Sequence, residues 1–198
     1  MPTLNSNYWE TRYNQGETGW DIGSASKPIF NYLNQISNKD ICVLIPGCGN
    51  AHEAEILLNL GFHHVTVLDY APSPIREMEK KYAKEIGEGR LKLVCEDFFS
   101  HQNTYDLIIE QTFFCALDTT LRPKYASHMP LLLKPNGKLA GLLFNFPKTE
   151  EGPPFGGSKE EYLQLFEPSF KVKIMDLCYN SIKPREGREL FFILQKSV

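Results

Sequence analysis

Cys42-Val43-Leu44-Ile45-Pro46-Gly47-Cys48-Gly49-Asn50-Ala51-His52-Glu53-Ala54-Glu55 is the stretch that decides the fold. Its opening apolar run reads as a buried parallel strand. A glycine turn follows, then a helix carrying Ala54, Leu57, Leu58 and Phe62. Gly47 and Gly49 lack side chains, so the backbone turns sharply there and lets a ligand lie against it. A second apolar run, His64-Val65-Thr66-Val67-Leu68, ends at Asp69, twenty residues past Gly49. Strand, glycine turn and helix, with a carboxylate at the next strand tip, are how an open α/β sheet holds a nucleotide-like ligand. The acid suits two adjacent ribose hydroxyls.

The same loop narrows the ligand. A dinucleotide fingerprint uses a third glycine for close strand–helix packing, but here Asn50, Ala51 and His52 follow Gly49. Glu53 and Glu55 favour the first turn of the helix and repel a pyrophosphate. A nucleoside without phosphates suits the loop better, which points to S-adenosylmethionine (SAM). Gly47, Gly49 and Asp69 also leave open an NAD(P)-dependent Rossmann oxidoreductase. A non-catalytic SAM-binding protein is a further alternative.

The 198 residues suffice for one domain, 1–198, with a sizeable core and no linker. A net charge of -3 without a basic stripe argues against a nucleic-acid partner. The apolar runs are too short to span a bilayer. Met1-Pro2-Thr3-Leu4-Asn5 lacks the charged and apolar regions of a signal peptide. The five cysteines, Cys42, Cys48, Cys95, Cys115 and Cys178, form no C-x-x-C, and no histidines stand at metal spacing from them. Four of them lie in or beside apolar runs, so buried free thiols are expected, with no metal, as suits a reducing cytoplasm. No long exposed heptad points to assembly, and a monomer is expected.

Both tryptophans, Trp9 and Trp20, precede the first strand. Trp9 and Tyr13 are four apart and share a helix face. Gly16, Gly19 and Gly23 form a loop around Trp20. Residues 1–38 read as a helical cover, either a lid over the ligand or a segment packed on the domain's edge. Ser26 caps a helix with Ile29, Leu33 and Ile36 on one face. Ser73-Pro74 starts another, striped by Ile75, Met78, Tyr82 and Ile86. The third strand, 91–95, stops at Glu96-Asp97-Phe98-Phe99, an acid and aromatics suited to the edge and face of an adenine.

The fourth strand, 105–109, runs into Glu110 and Gln111. In an open sheet its tip faces the same crevice as the first, so both are candidates for the reacting end. Asp118 caps the next helix. Leu133-Lys134-Pro135-Asn136-Gly137 reads as a turn that feeds a strand over 138–144. The loop 147–157 carries one aromatic, Phe155, and such loops are often functional. Ser158 and Glu161 form a capping box. Closing strands over 170–179 and 190–195, joined as a hairpin, make the last strand antiparallel.

Six segments together resemble a class I SAM-dependent methyltransferase: Trp9-Glu10 through Trp20-Asp21, Ile45-Pro46-Gly47-Cys48-Gly49, Leu68-Asp69, Glu96-Asp97-Phe98-Phe99, Thr112-Phe113-Phe114-Cys115-Ala116 and Gly152-Pro153-Pro154-Phe155. More closely, the chain resembles the thiopurine S-methyltransferase superfamily on its halide/thiol branch. The resemblance implies a Rossmann-like, doubly wound α/β sheet, mostly parallel with an antiparallel last strand. It implies in-line methyl transfer from SAM to a small-molecule acceptor: a thiol, a thiopurine-like compound, hydrosulfide, thiocyanate or a halide.

Residue roles follow from the same resemblance. Trp9, Tyr13 and Trp20 would cover the cofactor. Gly47, Cys48 and Gly49 would contact its methionine part, Asp69 its ribose, and Asp97 and Phe98 its adenine. Tyr70 and Gln111 belong with these cofactor residues, and Glu110, Phe113 and Phe155 with the acceptor. Tyr13 stands where plant relatives carry tryptophan, Gln111 where thiopurine enzymes carry arginine, and Phe155 where plant relatives carry tyrosine. No catalytic side chain is singled out. The leaving group is neutral, and a desolvated soft anion attacks without help once held in line.

Overall fold

The computed structural model describes residues 4–149 and 152–197. Residues 1–3 of the expected cover and Glu150 and Glu151 of the 147–157 loop lie outside them. The chain separates into two compact units, Met1–His101 and Gln102–Val198.

In the first unit, Cys42–Pro46 (β1), His64–Asp69 (β2) and Leu91–Cys95 (β3) pair in parallel in the order β3-β2-β1. Val43, Leu44 and Val67 are fully buried. Strands covered on both faces read as unbroken apolar runs, which is why β1 and β2 are legible. The helices are Ser6–Gln15 (α1), Lys27–Asn34 (α2), His52–Asn59 (α3), Pro72–Lys81 (α4) and Ala83–Gly87 (α5). Ile29 and Leu33 of α2 and Ala54 and Leu57 of α3 face the core. Ser26 stands at the N-cap of α2 but its side chain makes no capping bond there. The helix expected from Ser73 to Ile86 is two helices, broken at Tyr82 (φ -115, ψ 28). Tyr82 turns its ring inward, and its hydroxyl reaches Glu55 at 3.1 Å.

In the second unit, Tyr105–Gln111 (β4) pairs in parallel with Leu133–Phe144 (β5). Arg122–His128 (α6), Lys159–Phe166 (α7), Phe170–Leu177 (β6) and Glu189–Lys196 (β7) complete it, with strand order β4-β5-β7-β6. The last strand is antiparallel to both β5 and β6 and lies between them. β5 begins at Leu133, inside the segment read as a turn, because Tyr105 pairs with Leu133 across a bulge. Asp118 caps a 3-10 turn, Thr119–Leu121, which runs into α6. Ser158 accepts the Glu161 N–H at 3.3 Å and starts α7 as expected. Among the described residues, no helix is long and apolar enough to cross a membrane.

Candidate active site

The turn from β1 into α3 is left-handed at three alternate residues: Gly47 (φ 57), Gly49 (φ 50) and Ala51 (φ 53). Two bonds seat it on the tip of β2. Cys48 N–H donates to the Leu68 carbonyl at 3.0 Å. Gly49 N–H donates to Asp69 Oδ2 at 2.9 Å. The other oxygen, Asp69 Oδ1, accepts the Ala71 N–H at 2.9 Å. Burial raises the Asp69 pKa against the pull of these backbone donors. The Tyr70 N–H also acts on this carboxylate, which still keeps acceptor capacity for a further donor. Glu96 N–H reaches the Asp69 carbonyl at 3.1 Å, tying the tip of β3 to the same place. Asp97 Oδ1 takes the Phe99 N–H at 3.0 Å, and Phe98 is buried edge-on to Phe99. Tyr70, beside Asp69, is exposed, and its carbonyl accepts the Ser6 hydroxyl at 2.8 Å.

The aromatic cover lies over this loop. Asn5 caps α1 by accepting the Tyr8 N–H, and Gly16 ends the helix in a left-handed conformation. The Trp20 ring meets Trp9 at 5.5 Å and Tyr13 at 5.6 Å, both edge to face. A side chain at Gly49 would put its Cβ 3.0 Å from Tyr13 Oη and 4.0 Å from Trp20 Nε1. Gly49 is therefore glycine twice over, for its backbone angle and for the phenol above it. Burial, with the Asp69 charge next in effect, raises the Tyr13 phenol and the Cys48 thiol far above their ordinary values. Both stay protonated.

Two carboxylates not marked out as site residues by the sequence fasten the cover. Asp21 accepts from Gly23 N–H at 2.7 Å, meets His52 Nε2 at 2.8 Å and accepts from the Asn50 amide. Glu10 accepts from Ser73 N–H at 2.8 Å, Ser73 Oγ at 2.7 Å and Arg76 Nη2 at 2.7 Å. One signal was available: each acid directly follows a tryptophan. The first unit thus brings Trp9, Tyr13, Trp20, Cys48, Gly49 and Asp69 together.

The second unit carries Glu110, Gln111, Phe113 and Phe155. Glu110 is fully buried. Its Oε1 accepts the N–H groups of Phe113 and Phe114, both at 2.9 Å, and its Oε2 accepts the Tyr125 hydroxyl at 2.6 Å. Burial pushes its pKa up to about 7. The turn that it holds passes through Thr112 at φ 60, an unusual conformation for a β-branched residue. Phe155 is buried, and its N–H donates to the Cys115 carbonyl of that turn at 2.8 Å. Buried Arg122 donates to the carbonyls of Phe155 and Gly156, pairs with Glu161 at 2.9 Å and lies over the Phe114 ring. Glu110, Phe113 and Phe155 therefore share one hydrogen-bonded assembly, and Gln111 sits at its start.

The glycine loop is flanked by carboxylates. Asp69 and Asp21 touch it, and Glu53, buried in the first turn of α3, has its pKa raised by that burial. Such surroundings fit a phosphate-free, positively charged nucleoside and oppose a pyrophosphate.

The fold is that of the class I SAM-dependent methyltransferases. A Burkholderia thailandensis 1,6-didemethyltoxoflavin-N1-methyltransferase, crystallised with S-adenosylhomocysteine (SAH), superposes with a TM-score of 0.75 over 98% of this chain and 87% of its own, at 16% identity. Within that class the chain belongs to the thiopurine S-methyltransferase family, whose model matches residues 4–191. It is similar to the probable thiol methyltransferase 2 of Arabidopsis thaliana, 31% identical across 96% of this chain and 84% of the relative. It is also similar to thiocyanate methyltransferase 1 of Brassica oleracea, 29% identical across 94% of this chain and 84% of the relative. The chain is a methyltransferase that uses SAM.

Proposed function

We propose that the acceptor is a small soft nucleophile, with thiols, hydrosulfide and thiocyanate foremost and halides and thiopurine-like compounds behind them. The observation that carries this reading is the occupancy of Glu110. Its carboxylate is buried and takes three donors from the protein itself. A carboxylate with no exposed surface that is spent on its own turn is not presented to an acceptor as a base, so the acceptor must attack without one. Thiolate-like anions do so once stripped of water. The names of the Arabidopsis and Brassica relatives support the same class. Gln111, where thiopurine enzymes carry arginine, ranks thiopurines lower.

When bound, SAM supplies an electrophilic methyl group on a positive sulfur. In this reading Gly47, Cys48 and Gly49 hold its methionine part, Asp69 with Tyr70 its ribose, and Asp97 and Phe98 its adenine. Trp9, Tyr13 and Trp20 exclude water. The protonated Cys48 thiol is no competing nucleophile. Phe113 and Phe155 strip water from the acceptor, and Gln111 stands at the start of their turn. The net charge of -3 favours a small acceptor over nucleic acid. The five free thiols suit the cytoplasm.

A methyl-acceptor panel with labelled SAM tests the reading. Label should pass to thiols, hydrosulfide or thiocyanate and not to amines or alcohols of similar size. Comparable transfer to an amine or an alcohol would overturn it.

A further inference from the structure

We infer that Glu10 and Asp21 are positioning residues that latch the aromatic cover shut over the cofactor loop and set the rate at which the cofactor product leaves. The inference rests on the cofactor reading above. It starts from α1, which buries none of its residues fully. Apolar packing alone therefore does not hold this helix down. Polar contacts add to the ring contacts of Trp9 and Tyr13, and they are grouped. Glu10 reaches Ser73, in the first turn of α4, and Arg76 one turn further on. Ser6 adds its bond to the Tyr70 carbonyl. Asp21 reaches Asn50 and His52, where α3 begins.

These landing points bracket the cofactor segments. α4 begins directly after Asp69-Tyr70-Ala71, and α3 directly after the glycine loop. Carboxylates are favoured at both places by the helix N-termini. Each indole is thus followed by its own anchor, Trp9 by Glu10 and Trp20 by Asp21. The anchors are also reversible. Side-chain exposure is 22% for Glu10 and 54% for Arg76, and 17% for Asp21 and 25% for His52. Water can replace these charge-assisted bonds as the cover lifts, which a buried apolar contact would not allow so readily.

The chain's two tryptophans both lie in the cover, so intrinsic tryptophan fluorescence reports on the cover alone. The test uses the full chain loaded with SAH and diluted into SAH-free buffer in a stopped-flow fluorimeter. Glu10→Gln and Asp21→Asn, both near-isosteric, should each speed SAH release about tenfold, the factor matching loss of one charge-assisted hydrogen bond. Release from the wild type should quicken with added salt, and the double variant should lose most of that dependence. Without SAH, acrylamide should quench the tryptophans of the double variant more than those of the wild type. Ser73→Ala, which removes a Glu10 partner without changing charge, should shift release in the same direction. Wild-type binding of SAH with release unchanged in all variants would overturn the latch alone. Failure of the wild type to bind SAH by calorimetry would overturn the cofactor reading and the latch with it.

Discussion

Asp69 joins two tasks in one carboxylate. It closes the glycine loop onto β2 through Gly49 and Ala71, and in our proposal it also receives the ribose hydroxyls of SAM. Asp69→Ala should weaken SAH binding by about 1–3 kcal/mol in calorimetry, the cost of leaving hydrogen-bonding groups unpaired. It should also lower the melting temperature, because two backbone N–H groups lose their acceptor. Unchanged affinity would mean that the cofactor lies elsewhere. Glu110 gives a prediction in pH. Its pKa is raised from the ordinary 4.5 to about 7. Between those values the folded chain keeps a proton that the unfolded chain has released, so the stability from this group falls as pH rises through that window. Glu110→Gln removes the effect. Relative to the wild type, the variant should gain about 1–3 kcal/mol between pH 5 and pH 8 in urea unfolding. Parallel stability curves would contradict this. Asp69 was legible because a strand-tip acid past a glycine turn has few other uses. The state of Glu110 was not, since the Tyr125 hydroxyl arrives from a helix that sequence spacing does not dock.

Among the elements, β1 and β2 were read from unbroken apolar runs, and the other five strands from shorter or interrupted ones between turns. Breaks and extensions were harder. The pause between α4 and α5 at Tyr82 carries no proline or glycine. The early start of β5 depends on its partner Tyr105 rather than on its own Pro135, Asn136 and Gly137. The 152–157 loop shows the same limit, because proline and glycine mark it as irregular without revealing that Arg122 pins it. Arg122 donates to two of its carbonyls and pairs with Glu161. Arg122→Met should therefore cost about 2–3 kcal/mol in urea unfolding, since Glu161 keeps Lys148 as a partner. The same variant should open residues 152–157 to limited proteolysis. Full protection of that loop in the variant would show that Arg122 does not hold it.

For the molecule as a whole, family membership and fold make SAM chemistry the frame, and composition alone could not have reached it. A charge of -3 and scattered cysteines excluded other classes without naming this one. The positive identification came from ordered segments spread along the chain, each weak alone. The cover's anchors stayed hidden because Glu10 and Ser73 are 63 residues apart and Asp21 and His52 are 31 apart. The central claim is that the first unit holds SAM under its tryptophans with Asp69 and Gly49 beneath. Calorimetric titration of the full chain with SAH tests it most directly. One SAH per chain is expected, with affinity reduced in both Asp69→Ala and Gly49→Ala. Absence of heat at millimolar SAH, or undiminished binding in both variants, would contradict the account.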